Sequence, residues 1–404
     1  MNMLQQKASP PTTSGPPPWT DVGRHAVFPE GTHDEAARFS FLAQLNHFIQ
    51  TEVFPGNRVL WEAKVRPLFV AEHGREPLTR HEIAPWMSRE PYYQTWGSLR
   101  RNLMEMRQEN GRAMVLRQLN DLVEKTRALN AGSERLQLNP TVAMPDYLTE
   151  RDIHCMPGNY NAELMLEDVS PAANYDAGTF VITAGITGRY NDGGGRAIAA
   201  WLQKHQPNMR PQRILDIGCG LGLNTLPIAK QYAQAEVYAI DVAAPMLRYA
   251  HARAKSLGVD RIVWAQANAE ALEFPDGFFD LVLATTFWHE TSSVAVQRIL
   301  KEIKRVLKPG ALHLSLEQPT YRGMSPYEAF IRDWDGPNNN EPFWGGFHDL
   351  NVIDEMVHAG FDRLRCFETQ FQGQIEKEFA DDSGMDQGKD FGRGGSWYGF
   401  GAWA

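Results

Sequence analysis

The chain has 404 residues, of which 43% are hydrophobic, with a net charge of −9 and a pI of about 5.8. That length calls for two domains, and the apolar content can fill both cores. The acidic balance excludes a protein whose main partner is a nucleic acid backbone.

Residues 1–33 are expected to be a disordered tail, because Pro10, Pro11, Pro16, Pro17 and Pro18 lie among Ser, Thr, Gly and Gln. The stretch lacks a signal-peptide pattern, and no apolar run approaches the roughly 20 residues that span a bilayer. Cys155, Cys219 and Cys366 are far apart and odd in number, which suits a reducing compartment and offers no zinc spacing. A cytoplasmic protein with no membrane partner is expected.

Residues 34–150 read as a helical accessory domain. Phe41, Leu42, Leu45, Phe48 and Ile49 recur at helical spacing, and Pro55-Gly56 is expected to end that helix. A second helix would carry Leu60, Trp61, Val65 and Leu68 on one face. Thr79 with Glu82 reads as a capping box. A long helix from about Pro91 has an expected weak point at Gly111. Its arginines, Arg100, Arg101, Arg107, Arg112 and Arg117, read first as a solvated face and second as an anion site. The region is expected to form a lid or a homodimer surface. Residues 132–195 are the least readable, although Phe180, Val181 and Ile182 suggest a strand, and 151–195 are expected to be a connecting, substrate-lid segment.

The stretch 213–225 organises the rest. Ile214, Leu215 and Ile217 suggest a strand buried on both faces. Gly218, Gly220 and Gly222 follow at alternate positions, and Asn224 and Thr225 can cap a helix. The spacing differs from the dinucleotide fingerprint, Gly-x-Gly-x-x-Gly, which shapes a pyrophosphate turn. Asp216, two positions before the first glycine, suits a cationic ligand group. The pattern resembles motif I of the class I S-adenosylmethionine (SAM) methyltransferases, and the resemblance runs from about residue 196 to the C-terminus.

The resemblance implies an α/β fold: a seven-stranded, Rossmann-like sheet in residues 196–404, behind the N-terminal all-α domain. The residues downstream carry the same order of motifs. A strand at 236–241 ends in Asp241, which resembles the acidic residue of motif II and would accept the ribose hydroxyls. Met246 falls where relatives lay an apolar side chain on adenine, with core packing as the alternative. Asn268-Ala269 replaces the family's usual Asp-Ala, though an amide oxygen can accept the same bond. Residues 279–283 read as a fourth strand. Residues 302–310, ending Lys308-Pro309-Gly310, resemble the region before strand five in small-molecule methyltransferases. Residues 363–371 and 397–403 read as a closing antiparallel pair, joined by a mobile loop at 381–395. The cofactor residues implied are Asp216, Gly218, Cys219, Gly220, Asp241, Val242, Met246, Asn268, Ala269 and Thr285, with SAM as cofactor and S-adenosylhomocysteine (SAH) as product.

An acceptor would lie beyond strand four, at residues 284–290. The Asn/Asp-Pro-Pro-Tyr motif of amino-methyltransferases is absent there. His289 with Glu290 is the base candidate, because an imidazole titrates near neutral pH. Its alternative is a helix cap or packing on Trp288. Glu317 is a second candidate, for base or substrate contact. His154, Tyr160, Tyr190, Trp288 and His348 are substrate-site candidates, and Cys155 lies among them. The aromatic insertion 319–348 is expected to roof the acceptor pocket. A metal site from His154, His289, Glu290, Glu317 and His348 has suitable chemistry. Residues so distant seldom converge, and no metal is expected. The combined expectation is a methyltransferase of a small organic acceptor, by O- or C-methylation. Its rivals are a protein or RNA methyltransferase and a non-catalytic SAM-binding scaffold.

Overall fold

The computed structural model describes residues 15–374, 376 and 396–404. Eight strands form one sheet: β1 (Leu136–Gln137), β2 (Arg213–Ile217), β3 (Glu236–Asp241), β4 (Ile262–Gln266), β5 (Phe279–Thr285), β6 (Leu307–Glu317), β7 (Cys366–Gln372) and β8 (Ser396–Trp403). Their order is β1-β4-β3-β2-β5-β6-β8-β7. Pairing is parallel except around β8, which runs antiparallel to β6 and β7. The chain winds outward from β2 to β3 and β4, then returns to β5 on the other side of β2. That reversal opens a crevice beyond the carboxyl ends of β2 and β5.

Alternate residues of the central strands feed two apolar layers. Ile214, Leu281, Leu283 and Leu312 face the helices Gly193–His205, Thr225–Gln231 and Ala244–Ser256. Leu215, Ile217, Val282 and Ala284 face the helices Ser293–Val306 and Val352–His358. Burial on both faces explains why these strands read as continuous apolar runs. Seven strands were expected. The eighth, β1, is a two-residue edge strand beside β4, too short to show any alternation.

The N-terminal helices form a layer over one end of the sheet. Pro55-Gly56 does not end the first helix. The chain continues from His33–Phe48 through wide turns at Ile49–Val53 and Trp61–Val65 to Arg66–His73. Pro55 sits where the wide turn Ile49–Val53 passes into the segment Pro55–Leu60, and that wide turn lets the helical run pass a residue without an N–H. Phe41, Phe48 and Leu68 of the expected apolar faces point to solvent. Thr79 makes no side-chain cap; Glu82 instead takes Arg75 and the Leu78 N–H. Helix Pro91–Arg117 passes Gly111 without a break. Arg100 and Arg107 are buried, contrary to a solvated face, whereas Arg101 and Arg117 pair at the surface with Glu105 and Glu35.

Phe180, Val181 and Ile182 belong to helix Ser170–Thr183, not to a strand. That helix is buried almost all round, so its sequence shows no stripe. The tail expectation fails for residues 15–33. Trp19 is buried, stacks on Phe39 at 4.8 Å and donates its Nε1–H to the Ala177 carbonyl at 3.0 Å. Residues 1–14 and the loop at 381–395 lie outside the described residues. One apolar cluster joins Trp19, Phe39, Trp61 and Trp96 to Phe180 and to Tyr327, Phe330 and Trp334 of the insertion. The helical layer is therefore continuous with the insertion. No helix among the described residues is long and apolar enough to cross a membrane.

Candidate active site

The turn after β2 is shaped by left-handed backbone at Gly218 (φ +64°) and Gly220 (φ +50°). The Gly220 N–H donates to Asp241 Oδ2 and the Ala243 N–H to Oδ1, each at 2.9 Å. Two backbone donors thus fix the carboxylate at the end of β3. Burial pushes its pKa up to about 6, against the pull of those N–H groups, so it is ionised at neutral pH. Asp216 behaves differently. It does not line the crevice; its Oδ2 accepts the Thr225 hydroxyl at 2.5 Å, and burial pushes its carboxyl to about 7. It therefore braces the glycine turn against the helix that follows. Asn224 precedes that helix without a side-chain cap bond, because its Oδ1 accepts the Gly195 N–H at 2.8 Å.

A crevice of about 160 Å³ lies over this turn. Gly218, Cys219, Gly220, Asp241, Val242, Met246, Asn268, Ala269 and Thr285 all line it. Asn268 accepts the Glu270 N–H at 2.8 Å and donates to the Ala143 carbonyl at 3.1 Å, so its amide is oriented from two sides. The opposite wall is formed by Met144, Pro145, Tyr147, Leu148 and Tyr175, which sequence reasoning missed, and by Tyr160, a substrate-site candidate that lines this crevice. Those residues lie in the stretch without periodicity. A strand-end carboxylate, a side-chain-free turn and an apolar wall fit a nucleoside bearing a cationic tail.

A second cavity, of about 240 Å³, adjoins the first. Tyr175, Leu223, Asn224, Thr285, Thr286 and Glu290 line both, so the two meet there. The N-terminal helices supply Asn46, Phe54, Trp96, Arg100 and Met104 to its wall, and the insertion supplies Ile331, Trp334, Glu341, Trp344 and His348.

The expected catalytic and substrate residues separate here. His289 lines the second cavity, and its Nδ1 lies 2.7 Å from Glu317 Oε1. Burial would lower its pKa, but Glu317 outweighs that and raises it to about 9. His289 thus carries its proton at neutral pH and faces the cavity as a cation, not as a ready base. Glu317 does not reach the cavity. It is fully buried and also accepts the Trp288 and Gln318 N–H groups at 3.0 and 2.8 Å. Trp288 is core: its Nε1–H donates to Ser315 Oγ at 2.9 Å. Tyr190 lines neither cavity; its ring covers Gly23 and its carbonyl accepts Arg253. Cys155 lines neither. His348 lines the second cavity, stacks on Trp344 at 4.3 Å, and is pushed down to about 4 by burial.

His154, Tyr160 and Glu290 do meet, together with an unforeseen partner, Glu341. His154 Nε2 lies 3.0 Å from Glu290 Oε1, and Nδ1 lies 2.7 Å from Glu341 Oε1. The Tyr160 hydroxyl donates to Glu290 Oε1 at 2.8 Å. Side-chain exposures of 12%, 17% and 1% for His154, Glu290 and Glu341 keep most water out. Burial lowers the His154 pKa, but Glu341 and Glu290 together overcome it and raise it to about 10. The His154 and Cys155 backbones have φ of +56° and +55°, a strained conformation that surrounding contacts must hold. Ligand atoms of His154, Glu290 and Glu341 lie within 4.8 Å of one another, close enough for a metal ion. The five-residue metal set read from the sequence does not assemble, since His289 pairs with Glu317 elsewhere. No local pattern announces Glu341, which lies inside the aromatic insertion.

Residues 214–310 match a family model described as a methyltransferase domain. The chain is 37% identical over 164 residues to a demethylmenaquinone methyltransferase of Symbiobacterium thermophilum, covering 40% of this chain and 59% of that protein. It is 36% identical over 186 residues to the ubiquinone/menaquinone biosynthesis C-methyltransferase UbiE of Pectobacterium carotovorum, covering 44% of this chain and 67% of that protein. The chain thus spans 59% and 67% of the length of these two relatives. Among solved structures, it is similar to a phosphoethanolamine N-methyltransferase 2 of Haemonchus contortus in complex with SAM. That match has a TM-score of 0.39 and 20% identity, and covers 54% of this chain and 55% of the other.

Proposed function

The chain belongs to the class I SAM-dependent methyltransferases, and on that premise we propose that it methylates a small organic acceptor on carbon or oxygen. One observation carries the reading. The crevice that fits SAM opens at Thr285, Thr286 and Glu290 into a second cavity with charged and aromatic walls. A scaffold that only binds cofactor has no use for that second cavity.

SAM would supply an electrophilic methyl for in-line displacement. Asp241, Gly220 and Met246 would hold its nucleoside and tail. The second cavity would orient the acceptor and exclude water, which supplies much of the rate enhancement in such a displacement. Trp96, Trp334 and Trp344 suit a flat or apolar acceptor. The protonated His289, braced by Glu317, stabilises negative charge on an acceptor oxygen, as a phenolate or enolate. An acceptor that binds already deprotonated by solvent can be methylated on oxygen or on an adjacent carbon as SAH departs, a ring carbon then releasing its proton to solvent. One relative is named a demethylmenaquinone methyltransferase and the other a ubiquinone/menaquinone biosynthesis C-methyltransferase, which supports carbon. Walls from the N-terminal helices and the insertion support a lid role for both and a small acceptor, against an open groove for protein or RNA.

The test is transfer of a labelled methyl from SAM to a panel of phenolic and enolic compounds. Transfer to at least one is expected, with His289→Gln slowed about 100-fold in kcat, as when one oxyanion donor is removed. Full turnover in His289→Gln would remove its assigned role.

A further inference from the structure

We propose that the Glu290 carboxylate, backed by His154 and Glu341, reads the positive charge of the SAM sulfonium and so makes the crevice prefer SAM to SAH. The inference rests on the SAM reading above. In-line transfer requires the methyl-bearing sulfur to stand where the crevice opens into the acceptor cavity, with reacting atoms about 3 Å apart. Glu290 is the one carboxylate among the residues that line both spaces. SAM and SAH differ there by one methyl and one positive charge.

The cluster behind Glu290 determines whether its charge is available. Tyr160 and His154 both donate to Glu290 Oε1, at 2.8 and 3.0 Å, which holds the group as a carboxylate and fixes its orientation. Alone, a protonated His154 would cancel the charge of Glu290. Glu341, at 2.7 Å from the opposite ring nitrogen, offsets His154 and leaves the negative charge of Glu290 to the crevice. Arg107, buried nearby, addresses the His154 carbonyl oxygen. Two observations favour this arrangement over a metal centre. Each ring nitrogen of His154 faces a different carboxylate, so an ion could keep only one of the two contacts. The same wall carries His289, Arg100 and Arg332 as well as the carboxylates Glu290, Glu341 and Asp335, so it already mixes cationic with anionic side chains. His154 and Glu341 are thus positioning residues, and Glu290 is the group that touches the cofactor.

Calorimetric titration of SAM and SAH into the full chain tests this, with Glu290→Gln and Glu341→Gln beside the wild type. The wild type is expected to bind SAM about tenfold more tightly than SAH, the factor that 1.4 kcal/mol gives. Either substitution should bring the ratio towards one by weakening SAM, with SAH affinity held within about twofold. A merely structural role would move both ligands together and overturn the proposal. So would an unchanged ratio in folded variants, checked by circular dichroism. If Glu290→Gln does not fold, Glu341→Gln carries the same comparison. Binding of Mn²⁺ or Zn²⁺ by the wild type, lost in His154→Asn, would assign the cluster to a metal and overturn the proposal. A wild type that binds neither SAM nor SAH would instead overturn the reading of the crevice itself.

Discussion

Gly218, Gly220 and Gly222 occupy one turn and answer to different neighbours. A Cβ on Gly218 would sit 2.3 Å from Phe287, and one on Gly222 would sit 2.3 Å from Trp264. A Cβ on Gly220 would meet only Met246 Cε, at 4.0 Å, and would project into the crevice. Gly222→Ala is therefore expected to lower stability by about 1–3 kcal/mol through overpacking, read by denaturant unfolding. Gly220→Ala should cost about 1 kcal/mol for its left-handed backbone, yet abolish SAH binding. Equal effects of the two on binding and stability would contradict this division. The histidines separate in the same way. At pH 7, nitrogen NMR should find His154 and His289 doubly protonated, and His313 and His348 neutral. His289 should titrate near pH 9, and His313 and His348 near pH 4. Because its folded pKa is raised, protonated His289 contributes stability that is full below about pH 6.5 and lost as pH rises through about 9, whereas Glu317, whose pKa its contacts lower, loses its share as pH falls through the carboxylate range. A neutral His289 at pH 7 would contradict its assignment as a cation. Gly220 and Asp241 were legible because local spacing fixes them at the ends of adjacent strands. Glu341 and the brace role of Asp216 were not, because only tertiary contacts with His154 and Thr225 define them.

Among the elements, the parallel strands were readable because burial on both faces leaves an apolar run between turns. Helix Ser170–Thr183 hid for the same reason: complete burial erases the periodicity that would distinguish it from a strand. The Pro55 expectation failed because the wide turn Ile49–Val53 before it lets the helical run continue past a proline. Gly111 was read as a weak point, yet it is a contact point. A Cβ there would lie 2.0 Å from Asn174 Oδ1, whose amide also donates to Gln108 at 2.7 Å. Gly111→Ala should separate helices Pro91–Arg117 and Ser170–Thr183, lowering stability by about 1–3 kcal/mol despite the better helix propensity of alanine. A stabilised variant in thermal or denaturant unfolding would show that the two helices do not approach so closely.

For the molecule as a whole, the sheet places the crevice over the glycine turn, and the helical layer with its insertion builds the cavity beside it. The first part is carried by motifs with fixed spacing, so it was visible in the sequence. The second is assembled from segments far apart in the chain, such as those of Asn46, Arg100, Tyr175 and Trp334, and no local pattern links them. Even so, the aromatic insertion at 319–348 stood out by composition. The central claim is that a sulfonium nucleotide binds over the glycine turn with its sulfur at the junction of the two cavities. A crystal structure with SAH tests it most directly. Expected is a ribose at Asp241, an adenine beside Met246 and Asn268, and a sulfur between Thr285 and Glu290. SAH bound elsewhere, or its sulfur turned away from the acceptor cavity, would contradict it.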